Sequence, residues 1–320
     1  MSQKLKLPFN LNNLCYAGFL LKADVYVSPG TQAQPIRGEG HPFDWPPIAS
    51  TLIRGQNSAL LVDTAITVKQ NNDLADWIES LLKPQKLELA IIYITHGHAD
   101  HFLGLSILHS RFPGVKVVAA KGTVEHMKQQ IEPAFFRSFW QKFFPNQLLE
   151  LVVTAEVLPE NNQFELEGHI LQAVDVGHTD TTDTTVLWVP DLKLAVCGDV
   201  VYGDVHQYLV EANTRKKRME WIATLEKVKA LGPETVAAGH KRPGGLDGVY
   251  NLDASIEYIR DFQGLIDEGV NDAKVLYERM MEKYGGRVNS HALLSGCIVA
   301  VKNLPKLRGA CQLAGCISVE

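Results

Sequence analysis

Long hydrophobic runs are missing from this 320-residue chain. A membrane helix needs about 18 consecutive apolar residues, and the longest apolar stretch near the start, Leu14 to Leu21, is interrupted by Gly18. No signal-peptide cleavage pattern stands there, so the chain is expected to be intracellular and cytoplasmic, with no membrane partner. Basic charge is not in excess either: 31 Lys and Arg face 36 Asp and Glu. The densest basic run, Arg215 to Arg218, meets Glu220 almost at once and reads as a solvated helix start, so no nucleic-acid partner is expected. Cysteine is sparse. Cys15, Cys197, Cys297, Cys311 and Cys316 are odd in number and follow no metal-finger spacing, which fits free thiols and not a disulfide framework. No low-complexity linker divides the chain.

Short apolar or β-branched runs, separated by turn residues, read as strands at Asp24 to Ser28, Ile48 to Ile53 and Ala59 to Asp63. Leu74 to Leu82 has helical spacing and stops before Pro84, and Leu89 to Thr95 is a near-continuous apolar run of the kind a buried strand requires. Helix is predicted over Phe102 to Phe112 and strand over Val115 to Ala120. The second half repeats this rhythm, with strands near Ile170 to Val174, Thr184 to Val189, Leu194 to Gly198 and Thr235 to Ala238, and a helix from about Lys217 to Ala230. Two similar α/β halves facing each other suggest one sandwich. Past Gly248 the pattern turns helical, at Leu252 to Ile266 and Ala273 to Tyr284, as an expected cap on the site or a homodimer element. Residues 1–248 are thus read as the main domain and 249–320 as a C-terminal helical extension. Between Pro133 and Pro145, Phe135, Phe136, Phe139, Trp140, Phe143 and Phe144 crowd together, as a core face or a substrate-pocket wall.

Histidine carries the chemistry. Thr95-His96-Gly97-His98-Ala99-Asp100-His101 ends a hydrophobic strand and puts four potential ligands into six positions. Imidazole and carboxylate are ligands that zinc takes readily. In an extended loop His96 and His98 point the same way, while Asp100 and His101 head the next helix. Gly97 and Ala99 leave room for close approach. Further on, His178 follows Val174 to Gly177, Asp199 follows Val196 to Gly198, and His240 follows Val236 to Gly239, each delivered by a strand through a glycine.

This ordered set resembles the metallo-β-lactamase superfamily over roughly residues 20 to 245. The resemblance implies a four-layer αββα sandwich and two zinc ions per chain, the first held by His96, His98 and His178, the second by Asp100, His101 and His240, with Asp199 bridging. It also implies that Asp63, at the end of an early strand, orients a ligand without binding metal. His206, with Tyr202 and Tyr208, follows the bridging aspartate and is expected at the substrate rim, with Phe139 and Trp140 as further substrate contacts. His109, His126 and His169 read as surface or structural, and His41 and His291 show no chemical partner.

The activity implied is hydrolysis by metal-activated hydroxide, with Asp100 orienting the nucleophile and moving its proton. Lactamases of the family that cleave antibiotics place cysteine or serine where Asp199 stands, so the chain looks closer to glyoxalase II, lactonases and thioesterases. Its helical C-terminal part resembles lactonase-like and fungal lactamase-like members that open small cyclic amides or esters. The expected substrate is a lactam or lactone in a small hydrophobic or aromatic molecule, with xenobiotics among the candidates. The alternatives are acyl thioester hydrolysis and, with a single iron, persulfide oxidation.

Overall fold

In the computed structural model, which describes residues 21–35, 41–150 and 153–304, two β-sheets face each other. Cys15, Cys311, Cys316, the apolar stretch before Leu21 and the tail from 305 lie outside the described residues. The first sheet runs from Tyr202–Gly203 through His240–Lys241, Ile48–Arg54, Ser58–Val62, Glu88–Ile94 and Lys116–Ala119 to Glu156–Val157, with Lys22–Ser28 also paired to Ile48–Arg54. The second is ordered Thr235–Ala237, Leu194–Val196, Thr184–Val189, His169–Gly177, Gln163–Leu166.

Strand residues alternate between two faces, so a strand that is apolar throughout must feed two cores. Leu60 and Val62 join Leu187, Val189, Leu194 and Val196 between the sheets, while Leu61 and Leu52 face outward onto Leu74, Ile78, Leu105 and Leu108 of helices Val68–Leu82 and Leu105–Arg111. In the second sheet Val186, Ala195 and Val236 turn outward onto Trp221, Leu225 and Val228 of helix Arg215–Ala230. Leu252, Ile256 and Ile259 of Tyr250–Asp267, Leu276 and Met280 of Ala273–Tyr284, and Leu293 and Cys297 of Ser290–Lys302 complete that outer core. Three apolar layers between four layers of structure make an αββα sandwich with C-terminal helices. No described helix is long and apolar enough to cross a membrane.

Three departures from the sequence reading have local causes. The first helix starts at Val68, before Leu74, because Thr67 and Gln70 form a reciprocal capping box. The second starts only at Leu105, because Ala99–His101 is a 3₁₀ turn whose His101 carbonyl accepts the Thr64 N–H at 2.8 Å. Ser290–Lys302 is an additional helix, capped by the side chain of Asn289.

The ligand-type residues follow strands Glu88–Ile94, His169–Gly177, Leu194–Val196 and Thr235–Ala237. Close packing of these strand ends requires Gly198, whose φ is +50° and whose Cβ, if present, would lie 2.3 Å from Thr95 Oγ1. Gly198→Ala should therefore cost about 2–5 kcal/mol, from left-handed backbone strain and overpacking together. Urea unfolding of the metal-free protein checks this, and an unchanged midpoint would show that the turn relaxes.

Candidate metal centre

The hydrophobic strand Glu88–Ile94 ends at Thr95, and the loop beyond it is held from below by Asp63. Asp63 sits at φ +58° at the end of its own strand. Its carboxylate accepts the Thr95 N–H and hydroxyl, both at 2.8 Å, and the His101 Nδ1–H at 3.1 Å. The other loop histidines are oriented in the same manner: His96 Nδ1 meets Thr95 Oγ1 at 3.0 Å, and His98 Nε2 meets Glu211 Oε1 at 3.1 Å. His240 Nδ1–H donates to the Pro47 carbonyl at 2.9 Å. Holding one ring nitrogen fixes the ring's direction and leaves the other to face a metal.

Those other nitrogens converge in two groups. His96, His98 and Asp180 form one and Asp100, His101 and His240 the other, with the ligand atoms of each group within 4.8 Å of one another. Asp199 lies between histidines of the second group, Oδ1 3.1 Å from His101 Nε2 and Oδ2 3.3 Å from His240 Nε2, and accepts the Tyr202 hydroxyl at 2.5 Å. His240 Nε2 is 3.4 Å from Asp100 Oδ2. Buried polar atoms are nearly always hydrogen-bonded, yet His96 Nε2 is buried without a hydrogen-bonding partner, and His101 Nε2, Asp180 Oδ2 and Asp199 Oδ1 meet nothing but other ligand-type side chains. Donor atoms that face one another in this way fit metal cations. Asp63, His96 and His101 also lie close together, but the Asp63 carboxylate is already engaged by Thr95 and His101, in contacts that orient the loop.

Without metal, carboxylates hold protons on the imidazoles. Burial alone would lower His240, but Asp199 and Asp100 outweigh it and raise its pKa to about 9. His101 is opposed by burial and still raised well above its ordinary value by Asp199 and Asp100, and His98 by Asp180 and Glu211. His96, dominated by burial and then repelled by His101, falls to about 4.

The structure thus brings together His96, His98, Asp100, His101, Asp199 and His240 from the sequence-predicted set, and it leaves out His178. The strand His169–Gly177 breaks register between Asp175 and Gly177. The chain then turns so that His178 is half-buried, near enough to Lys217 for that cation to lower its pKa further after burial. Asp180, two residues on, takes the place beside His96 and His98. His206 is also corrected: it is buried, its Nδ1 bonds the Tyr258 hydroxyl at 2.9 Å, and its backbone N–H bonds Val288, so it anchors the C-terminal helices away from the rim.

Tyr202, Tyr208, Phe139 and Trp140 do line a cavity of about 430 Å³, whose base carries His98, Asp100, Asp199 and His240. Sequence reasoning missed several of its other residues. Trp45 Nε1–H donates to Asp100 Oδ2 at 3.0 Å. His291 stacks on Phe43 with ring centroids 3.7 Å apart and lines the same cavity. His126 packs on the ligand loop: a Cβ at Gly97 would lie 2.4 Å from its ring, so this glycine makes room for His126. Trp140 Nε1–H donates to Gln130, whose amide meets His126, which ties the aromatic wall to the loop. Only the residue types of the capping and aromatic segments hinted at these contacts. His109 and His41 are exposed, and His169 pairs with Asp191 at the surface.

Two outcomes follow from this geometry. Metal must displace the imidazole protons, so uptake at neutral pH should release about one proton or more, and affinity should weaken as pH falls from about 9. Calorimetry in buffers of different ionisation enthalpy measures this, and buffer-independent heats would contradict it. His206→Ala should lower stability by about 2–4 kcal/mol through the cavity it leaves, while metal content and KM stay as in the wild type. A lost metal equivalent in that variant would place His206 in the site.

The sequence profile of the Metallo-beta-lactamase superfamily matches residues 43–240, which is the segment that carries these groups. A metallo-β-lactamase family protein from Thermus thermophilus superposes with a TM-score of 0.59 at 16% identity, covering 86% of this chain and 91% of its own. A metallo-β-lactamase from Pontibacter korlensis gives 0.53 at 17% identity, covering 75% of this chain and 99% of its own. The mono-zinc form of FIM-1 from Pseudomonas aeruginosa gives 0.50 at 16%, covering 76% and 95%. At these identities the likeness is one of fold. No curated protein matches the sequence significantly. With the profile spanning most of the chain, the sandwich architecture and the paired imidazole–carboxylate clusters in agreement, the protein belongs to the metallo-β-lactamase superfamily of metal-dependent hydrolases.

Proposed function

We propose that the protein is a dinuclear zinc hydrolase that opens a lactam or lactone ring in a small, flat, apolar molecule. The observation that carries this reading is the cavity, where an aromatic wall stands directly over the two ligand clusters. Phe135, Phe139, Trp140 and Phe143 come from two short helices, Pro133–Ser138 and Trp140–Phe143, and Phe43 and Trp45 from a two-stranded ribbon. Stacked and edge-on rings of this kind bind flat apolar surfaces and exclude water. Asn289, His291 and Ser295 add polar groups from the C-terminal helix, suited to hydrogen-bond the substituents of such a ring.

Bound zinc supplies Lewis acidity and acidifies water, making hydroxide available at neutral pH. The protein's own residues do the rest. Asp100 is buried, and its Oδ2 is fixed by the Trp45 indole N–H and His240. A carboxylate so held can align an attacking water and pass its proton to the leaving nitrogen or oxygen. Tyr202, donating to Asp199, keeps that carboxylate turned toward the histidines. Burial pushes the Tyr202 hydroxyl far above its ordinary pKa, with Asp199 adding to the rise, so it remains a donor at working pH.

A hydrolysis screen of the zinc-loaded protein across aryl-fused lactams, lactones and acyl thioesters tests the reading. Ring opening should exceed that of Asp100→Ala by about 10²–10⁴-fold. No turnover above that variant overturns the proposal, as does one bound iron per chain with oxygen consumption on persulfides.

A further inference from the structure

We propose that Asp180, and not His178, is the third terminal ligand of the first metal, so that each metal is held by two imidazoles and one terminal carboxylate. The inference rests on the metal-binding part of the reading above and not on the substrate.

Four observations carry it. Asp180 Oδ2 lies 2.8 Å from His98 Nδ1 and 3.7 Å from His96 Nε2, closing a three-donor group. That oxygen is fully buried and meets only the two ligand-type histidines, and the buried His96 Nε2 has no hydrogen-bonding partner. The other oxygen, Oδ1, accepts the Thr179 hydroxyl at 2.8 Å, which fixes the carboxylate with Oδ2 turned to the histidines. His178 shows the opposite pattern. Its two ring nitrogens are buried but neither is anchored, and it belongs to no three-donor group among the described residues, whereas His96, His98, His101 and His240 each have one nitrogen anchored by a neighbour. A histidine ligand without an outer partner lacks the fixed tautomer and direction that metal-binding histidines normally have.

The backbone accounts for the exchange. Gly177, at φ +89°, ends the strand just after its register break, and the Thr179 N–H bonds the Thr181 carbonyl at 2.8 Å. This tight turn points residue 180 inward. Thr181 then donates to Glu211 at 2.8 Å, and Glu211 in turn holds His98. One turn thus supplies a ligand and the anchor of a second ligand's partner.

The assignment has a chemical consequence. Three carboxylates, Asp100, Asp180 and Asp199, would neutralise most of the charge of two divalent ions. Replacing an imidazole by an oxygen donor also makes the first position more hospitable to manganese and iron than a three-imidazole set would be.

Metal content by mass spectrometry and chelator competition tests this without reference to turnover. Asp180→Ala and the isosteric Asp180→Asn should bind one metal tightly and the other at least about 100-fold more weakly, beyond the 10–100-fold typical of outer-partner loss. His178→Ala should keep two, within about threefold of wild-type affinity. Circular dichroism of the metal-free variants confirms that each is folded, and a crystal structure of the zinc-loaded wild type needs no variant. Retention of both tight equivalents by Asp180→Asn, loss of one by His178→Ala, or zinc bonded to His178 in the crystal overturns the assignment. A chain that binds two metals through Asp180 yet opens no lactam or lactone sinks the proposed function and leaves this assignment standing.

Discussion

The buried carboxylate of Asp63 is the point on which the site's construction depends. It accepts from the backbone and hydroxyl of Thr95 and from His101, so one side chain joins the end of strand Ser58–Val62 to both ends of the ligand loop. Thr95 then passes the constraint to His96 through its hydroxyl, and its carbonyl accepts from the Thr185 hydroxyl and N–H in the opposing sheet. A single polar node thereby sets the directions of two histidines and the spacing of two sheets. Such a node is costly in an apolar interior unless every lone pair is used, which explains why Asp63 is so fully bonded while the ligand atoms above it are not.

Those unbonded atoms impose the second constraint. Converging carboxylates and imidazoles in a buried site would relax outward or neutralise in a softer scaffold. Here they stay together because each is delivered from the end of a strand whose two faces are locked in different cores. In the strand that leads to Asp199, Leu194 and Val196 pack between the sheets while Ala195 packs outside, and movement of that strand would disturb both. Charge pairing offsets part of the cost of burial, since neighbouring carboxylates raise the pKa of His98, His101 and His240 against the effect of desolvation.

Much of this was legible in the sequence because strand ends carry a strong local signal. The apolar run before His96 and the glycines before Asp199 and His240 marked both sheet membership and the imidazole and carboxylate groups that the fold brings together. What failed did so for non-local reasons. His178 looked equivalent to the others, but its strand breaks register against Thr184–Val189 just before it, and it is Asp180 that stands beside His96 and His98. His206 had the right neighbours in sequence and the wrong ones in space, since Tyr258 lies 52 residues away. His126 and His291 looked inert because the glycine and phenylalanine they pack against are remote in the chain.

The same contrast separates the parts of the site that can vary from those that cannot. Metal ligands sit on strand ends and are bound to the sandwich's geometry. The aromatic wall is assembled from three segments outside the two sheets: the Phe43–Trp45 ribbon, the helices of residues 133–143 and the start of Ser290–Lys302. These segments touch one another through ring contacts such as Phe43 on His291 and Trp45 on Trp140, with centroids 3.7 and 5.8 Å apart. They reach the ligand set at few places, chiefly Trp45 to Asp100 and Trp140 through Gln130 and His126 to the loop. Changes in the wall can therefore alter which molecule is held while the reacting groups stay in place, the division between scaffold and site that lets one fold serve many substrates. In this chain Trp45 belongs to both, because its ring forms wall and its N–H fixes the carboxylate proposed to move the proton, so substrate shape and proton transfer are coupled through a single indole.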